Sequence, residues 1–122
     1  MIVDDEQGIR DLLSFELGSK GYEVVTAQEG SEALERFKKE KFDLVITDLK
    51  MPGMDGIALL EALKKIDPQI KVVLITGFGT IETVVAAIKK GAYDFIRKPF
   101  ELKEIFSLVE KVLSKKEGGF AC

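Results

Sequence analysis

Histidine is absent from the 122 residues, and no other gap excludes as much. Without imidazole there is no Ser-His-Asp triad, no histidine general base near neutrality and no histidine metal ligand. Cysteine occurs once, at the terminal Cys122, so no internal disulfide forms and no neighbouring base activates the thiol. The cytoplasm is the expected compartment. Long hydrophobic runs are also missing: the longest uncharged stretch, Val72 to Ile81, falls far short of the ~20 apolar residues of a membrane span. No basic segment leads into an apolar one at the N-terminus, so no membrane association is expected. Basic residues are not in excess, and the net charge is −3. Nucleic-acid binding by this domain alone is therefore not expected.

The chain does have an ordinary globular composition, 46% apolar and 32% charged, at a length that suits one domain with one core. Short apolar runs alternate with amphipathic stretches, five of each. The runs are Met1 to Val3, Tyr22 to Thr26, Phe42 to Thr47, Ile70 to Thr76 and Ala92 to Ile96. Several are almost continuously apolar, as strands covered on both faces are. This pattern predicts an α/β fold: a parallel sheet with helices on both faces.

Between the runs, Ile9, Leu12, Leu13 and Leu17 form one helical stripe, closed by Gly18 and Gly21. Ala33, Leu34 and Phe37 form a second, with Ser31 placed as its cap. A third, Leu59, Leu60, Leu63 and Ile66, stops before Pro68. A fourth, Ile81, Val84, Val85 and Ile88, opens at Thr80 and ends at Gly91. The fifth runs from Leu102 to Leu113, after Pro99. All five stripes are expected in the core. Residues 1–116 are expected to form the domain, and 117–122 a tail or the start of a linker.

In a parallel sheet every strand ends at the same edge, where ligands bind in the crevice. Asp4 and Asp5 follow the first run, Asp48 the third, Thr76 ends the fourth, and Lys98 follows the fifth. Each has an ordinary reading on its own: Asp4 or Asp5 as a helix cap, Asp48 as a turn acid, Thr76 as a locally bonded hydroxyl, Lys98 as a solvated lysine. Their joint placement argues for a site. Two carboxylates ~4 Å apart repel by ~4 kcal/mol at an effective dielectric of ~20, so three together call for a cation. All the acceptors are hard oxygens, which favours Mg²⁺ and, beside it, a phosphate. With a cation and Lys98 screening charge, a carboxylate can attack a phosphoryl group, and Asp48 is the best placed to do so.

Val3-Asp4-Asp5-Glu6, the run Asp48 to Gly56, Thr76-Gly77 and Lys98-Pro99-Phe100 together resemble the receiver domain of two-component response regulators. The resemblance implies a flavodoxin-like, doubly wound (βα)5 sheet in the order 2-1-3-4-5. It implies phosphoryl transfer from a sensor histidine kinase to Asp48, with Mg²⁺ held by Asp5, Asp48 and the backbone carbonyl of Lys50, and by Asp4 through water. Thr76 and Phe95 resemble the family's switch pair, Gly77 the small residue that keeps the phosphoryl site open, and Pro99 the proline that often follows the lysine in a cis peptide. Partners implied are the kinase and an output domain or protein, engaged through the face of the fourth helix, fifth strand and fifth helix. A homodimer on phosphorylation is a further expectation. The domain is expected to be a phosphoacceptor, not a turnover enzyme.

Two features depart from the family. The first strand is short, which fits either residues missing ahead of Met1 or weak pairing. Lys50 and Phe78 occupy positions that tune hydrolysis, and a long side chain and a ring there predict a persistent phosphorylated state. The run Gly79 to Val85, continued by Gly91 to Phe95, is similar to receivers of nitrogen-regulatory activators.

Three rivals fit less well. A nucleotide-binding loop at Gly77-Phe78-Gly79 has Glu82 where a third glycine belongs, and it follows the fourth strand when a dinucleotide fingerprint should follow the first. A flavodoxin-like carrier would set three acids against a flavin phosphate. An Mg²⁺-dependent aspartyl-phosphate phosphatase or phosphomutase needs a second acid two residues past its nucleophile, where this chain has Lys50.

Overall fold

In the computed structural model, which describes residues 1–77 and 80–121 with side chains as far as Leu113, five strands and five helices alternate. They are β1 (Ile2–Val3), α1 (Gln7–Ser19), β2 (Thr26–Ala27), α2 (Gly30–Lys39), β3 (Leu44–Asp48), α3 (Gly56–Ile66), β4 (Lys71–Thr76), α4 (Ile81–Lys89), β5 (Asp94–Arg97) and α5 (Leu102–Ala121). The strands form one parallel sheet in the order β2-β1-β3-β4-β5. The chain winds outward in both directions from β1, so helices cover both faces.

Side-chain alternation divides the core in two. Val45, Val72 and Leu74 face Ala33, Phe37, Leu59, Leu60, Leu63 and Ala87 of α2, α3 and α4. Leu44, Ile46, Val73 and Ile75 face Leu13 and Leu17 of α1, with Ile105, Val109 and Val112 of α5. Adjacent residues of β3 and β4 thus serve opposite faces, which is why both strands read as continuous apolar runs.

The expected order of elements is observed, with shifted limits. β2 covers Thr26–Ala27 in place of Tyr22 to Thr26, because its only neighbour, β1, offers a ladder of two residues. β3 starts at Leu44 and not at Phe42. β5 begins at Asp94, because Ala92 N–H returns to the Ala87 carbonyl and finishes α4 around Gly91, whose φ is 109°. Gly18 lies inside α1, which runs on to Ser19. Ser31 does not cap α2: the helix starts at Gly30 behind Glu29, and the Ser31 hydroxyl donates to the Glu29 carboxylate at 2.6 Å.

The fourth stripe is the larger correction. Ile81, Val85 and Ile88 are exposed, and only Ala87 of α4 is buried. Helical periodicity reports which residues share a face, and the face of α4 turned to the sheet carries the small side chains. Leu12 and Ile66 are likewise exposed at the margins of their stripes.

Candidate functional site at the carboxyl edge of the sheet

Parallel strands place the residues that end them side by side. Asp4 follows β1, Asp48 is the last residue of β3, Thr76 the last of β4, and Lys98 lies just past β5. The Lys98 Nζ stands 3.2 Å from Asp4 Oδ2, 3.3 Å from Asp48 Oδ2 and 3.1 Å from Glu6 Oε1. Residues 94 positions apart in the chain therefore share one hydrogen bond.

Local structure holds each group in place. Asp4 Oδ1 accepts the Glu6 N–H at 2.9 Å, bending the chain into α1, and the Asp4 carbonyl accepts from Arg10 Nη1 at 2.7 Å. Asp4 is thus a turn acid and not the cap of α1, whose N-cap is Glu6, and its second oxygen remains for the lysine. Beyond Asp48, the Leu49 N–H continues the sheet to the Ile75 carbonyl, and the Gly56 N–H closes the loop on the Leu49 carbonyl at 2.8 Å. A Cβ on Gly56 would lie 2.5 Å from the Asp48 carbonyl oxygen, so only glycine lets α3 start this close to β3. Asp55 caps α3 by accepting the Ala58 N–H. The Lys98 N–H donates to the Thr76 carbonyl at 2.9 Å, and the Lys98–Pro99 peptide is cis.

Asp4, Asp48 and Thr76 are buried, while Asp5 is exposed. Burial, reinforced by the Asp4 charge, raises the Asp48 pKa above the usual carboxylate value; Lys98 and the Lys50 N–H oppose the shift without cancelling it. Burial also acts against the Lys98 charge, but hydrogen bonding to Glu6 and the charges of Asp4 and Asp48 outweigh it and raise the lysine above its ordinary range. Lys98 stays an ammonium at any physiological pH.

One carboxylate oxygen from each of Asp4, Asp5 and Asp48 lies within 4.8 Å of the others. Three hard, anionic oxygens at that spacing, partly open to water through Asp5, suit a small divalent cation. The Lys50 N–H points to Asp48 Oδ1 at a long 3.4 Å. Phe95 pairs in register with Leu74, two residues before Thr76, so Phe95 and Thr76 are diagonal neighbours on one face of the sheet. Phe95 is half-buried against the α2, α3 and α4 side of the core. Gly77 lies beside Lys98, where an added Cβ would make only an ordinary 3.6 Å contact. Phe78, Gly79 and Cys122 lie outside the described residues, and with them the nucleotide-loop reading and half of the lifetime argument.

Glu6 and Arg10 touch the site but are not among the residues predicted for it. An ammonium has three donors, and Asp4 and Asp48 occupy two; that count is the signal that would have directed attention to the acid two positions after Asp4.

A flavodoxin-like sheet with buried acids and a lysine at its carboxyl edge defines the class. Residues 1–110 match the response regulator receiver domain, and the chain belongs to that family, part of two-component signalling. It is 40% identical over 116 residues to the sporulation initiation phosphotransferase F of Bacillus subtilis, covering 95% of this chain and 94% of that protein. It is 38% identical over 115 residues to the Escherichia coli K12 transcriptional regulatory protein GlrR, covering 94% of this chain but 26% of the regulator. It thus spans about a quarter of the length of such regulators, and nitrogen-regulatory activators are among its relatives. The receiver domain of NtrX from Brucella abortus superposes with a TM-score of 0.87 at 43% identity, covering 93% of this chain and 96% of that one. Among the described residues, no helix is long and apolar enough to cross a membrane.

Proposed function

We propose that the domain accepts a phosphoryl group on Asp48 from the phosphohistidine of a sensor kinase, with Mg²⁺ bound by Asp4, Asp5, Asp48 and the Lys50 carbonyl. The observation that carries this reading is the placement of Lys98 between Asp4 and Asp48, beside a cluster of three carboxylates. The cation supplies charge neutralisation for the phosphoryl oxygens and for the acids. An Asp48 carboxylate oxygen forms the new P–O bond as the P–N bond breaks, and the departing imidazole keeps the electron pair and takes a proton from water. Lys98 steadies one phosphoryl oxygen through a charge-assisted hydrogen bond, and the Thr76 hydroxyl donates to another. No side chain stands as a general acid two residues past Asp48, which favours a single transfer over turnover of a phosphoester.

The acyl phosphate adds about one negative charge and new acceptors, which favour the conformer with Thr76 and Phe95 turned inward. The responding face is that of α4, β5 and α5, and the exposed Ile81, Val85 and Ile88 support it as the surface for an output domain, a downstream protein or a second copy. A shift from 1:99 to 99:1 requires ~5.5 kcal/mol of differential stabilisation, so a partial population shift is expected. On this reading both the phosphoryl transfer from the kinase and the output response take place in the cytoplasm.

Incubation with phosphoramidate and Mg²⁺ tests the assignment. One hydroxylamine-labile phosphoryl group per chain is expected, with none on the Asp48→Asn variant. Multiple turnovers of a phosphoester, or undiminished labelling of the variant, would overturn it.

A further inference from the structure

Lys98 is fully committed in the structure. Its three ammonium donors have three carboxylate partners at 3.1 to 3.3 Å: Asp4, Glu6 and Asp48. A phosphoryl oxygen arriving on Asp48 needs one of those donors, so one partner must leave.

The three differ in how readily they can do so. Asp4 has a side chain only 2% exposed and is tied through its other oxygen to the Glu6 N–H. Without a cation, displacing it would strand a buried charge. Asp48 is the acceptor itself. Glu6 has a side chain 64% exposed, and its backbone is pinned at the mouth of α1 by the bond to Asp4, while its long side chain remains free to swing into water. Solvent can replace the lysine at Glu6 at little free-energy cost, as for most exposed ion pairs.

We propose that Glu6 is a positioning residue that occupies the third donor of Lys98 in the resting protein and must release it before the lysine can engage a phosphoryl group. The proposal rests on the reading of Asp48 as the phosphoacceptor. Glu6 acts through Lys98 and sets how readily the site charges. Its carboxylate also stands at the mouth of the site, where simple repulsion of an anionic donor would give a similar effect, and chain length separates the two. Glu6→Gln removes the charge. Glu6→Asp keeps the charge but withdraws the carboxylate by one methylene, breaking a 3.1 Å contact.

Labelling rates with phosphoramidate and Mg²⁺ are compared for the wild type, Glu6→Gln, Glu6→Asp and Asp48→Asn. Both Glu6 variants are expected to label about threefold to fivefold faster, in keeping with the modest strength of a half-exposed ion pair. In the unphosphorylated, cation-free protein, the Lys98 side-chain ¹⁵N resonance is expected to move in both variants, while the Glu6 backbone amide keeps its bond to Asp4. Acceleration in Glu6→Gln alone would assign the effect to bulk repulsion and overturn the proposal. Unchanged or slower labelling in both variants, with an unmoved Lys98 resonance, would also overturn it. Labelling of Asp48→Asn would instead mark failure of the phosphoacceptor reading.

Discussion

Asp48 is a buried carboxylate beside a second buried carboxylate, and the one lysine between them does not fully offset the cost to Asp48. Its pKa is raised by burial first and by Asp4 second. A carboxyl with a raised pKa in the folded state binds more protons folded than unfolded between the two values, so its contribution to stability falls as pH rises through that window. Asp48→Asn removes this penalty. The variant is expected to be more stable than the wild type at pH 7 without divalent cations, with the difference shrinking as pH falls through the raised Asp48 value and vanishing below the ordinary carboxylate range. Urea unfolding at neutral pH and below the ordinary carboxylate range checks the sign. At this scale the sequence was legible where residue type met strand position: Asp4, Asp5, Asp48, Thr76 and Lys98 all end or follow strands that share an edge. Glu6 was not, because an acid at the start of a helix resembles any solvated one until the donors of the lysine are counted.

Elements deliver these side chains through close backbone packing. α3 begins against the last residues of β3, and Gly56 makes that approach possible. Gly56→Ala places a methyl group 2.5 Å from the Asp48 carbonyl oxygen, where backbone and not a flexible side chain must yield. The variant is expected to lose ~2 to 4 kcal/mol of stability and to label more slowly in proportion to the displacement of Asp48, as thermal melts and phosphoramidate labelling would show. Element order was readable because β-branched runs and helical stripes have different periods. Limits were less so, since β2 exists only as far as β1 provides a partner and Ala92 belongs to the end of α4. The stripe of α4 was correctly seen as one face and wrongly placed inside, because periodicity carries no information on which side of a helix the sheet lies.

For the whole molecule, the net charge of −3 understates the local imbalance. Asp4, Asp5, Glu6 and Asp48 surround a single lysine at one edge of the sheet. A divalent cation that binds there only in the folded state stabilises the fold by about 1.4 kcal/mol at ten times its dissociation constant. Mg²⁺ is therefore expected to raise the melting temperature of the wild type progressively. It should do so much less in Asp5→Asn, whose exposed position makes it harmless to packing. A melting temperature indifferent to Mg²⁺ would contradict the assigned donor set.

The peptide N–H of Lys98 is donated to the carbonyl of Thr76. The ammonium and the hydroxyl on which a phosphoryl group would pull are thus mounted on one rung of main chain, at the seam between the fourth and fifth strands. A tug on either would therefore be shared by both.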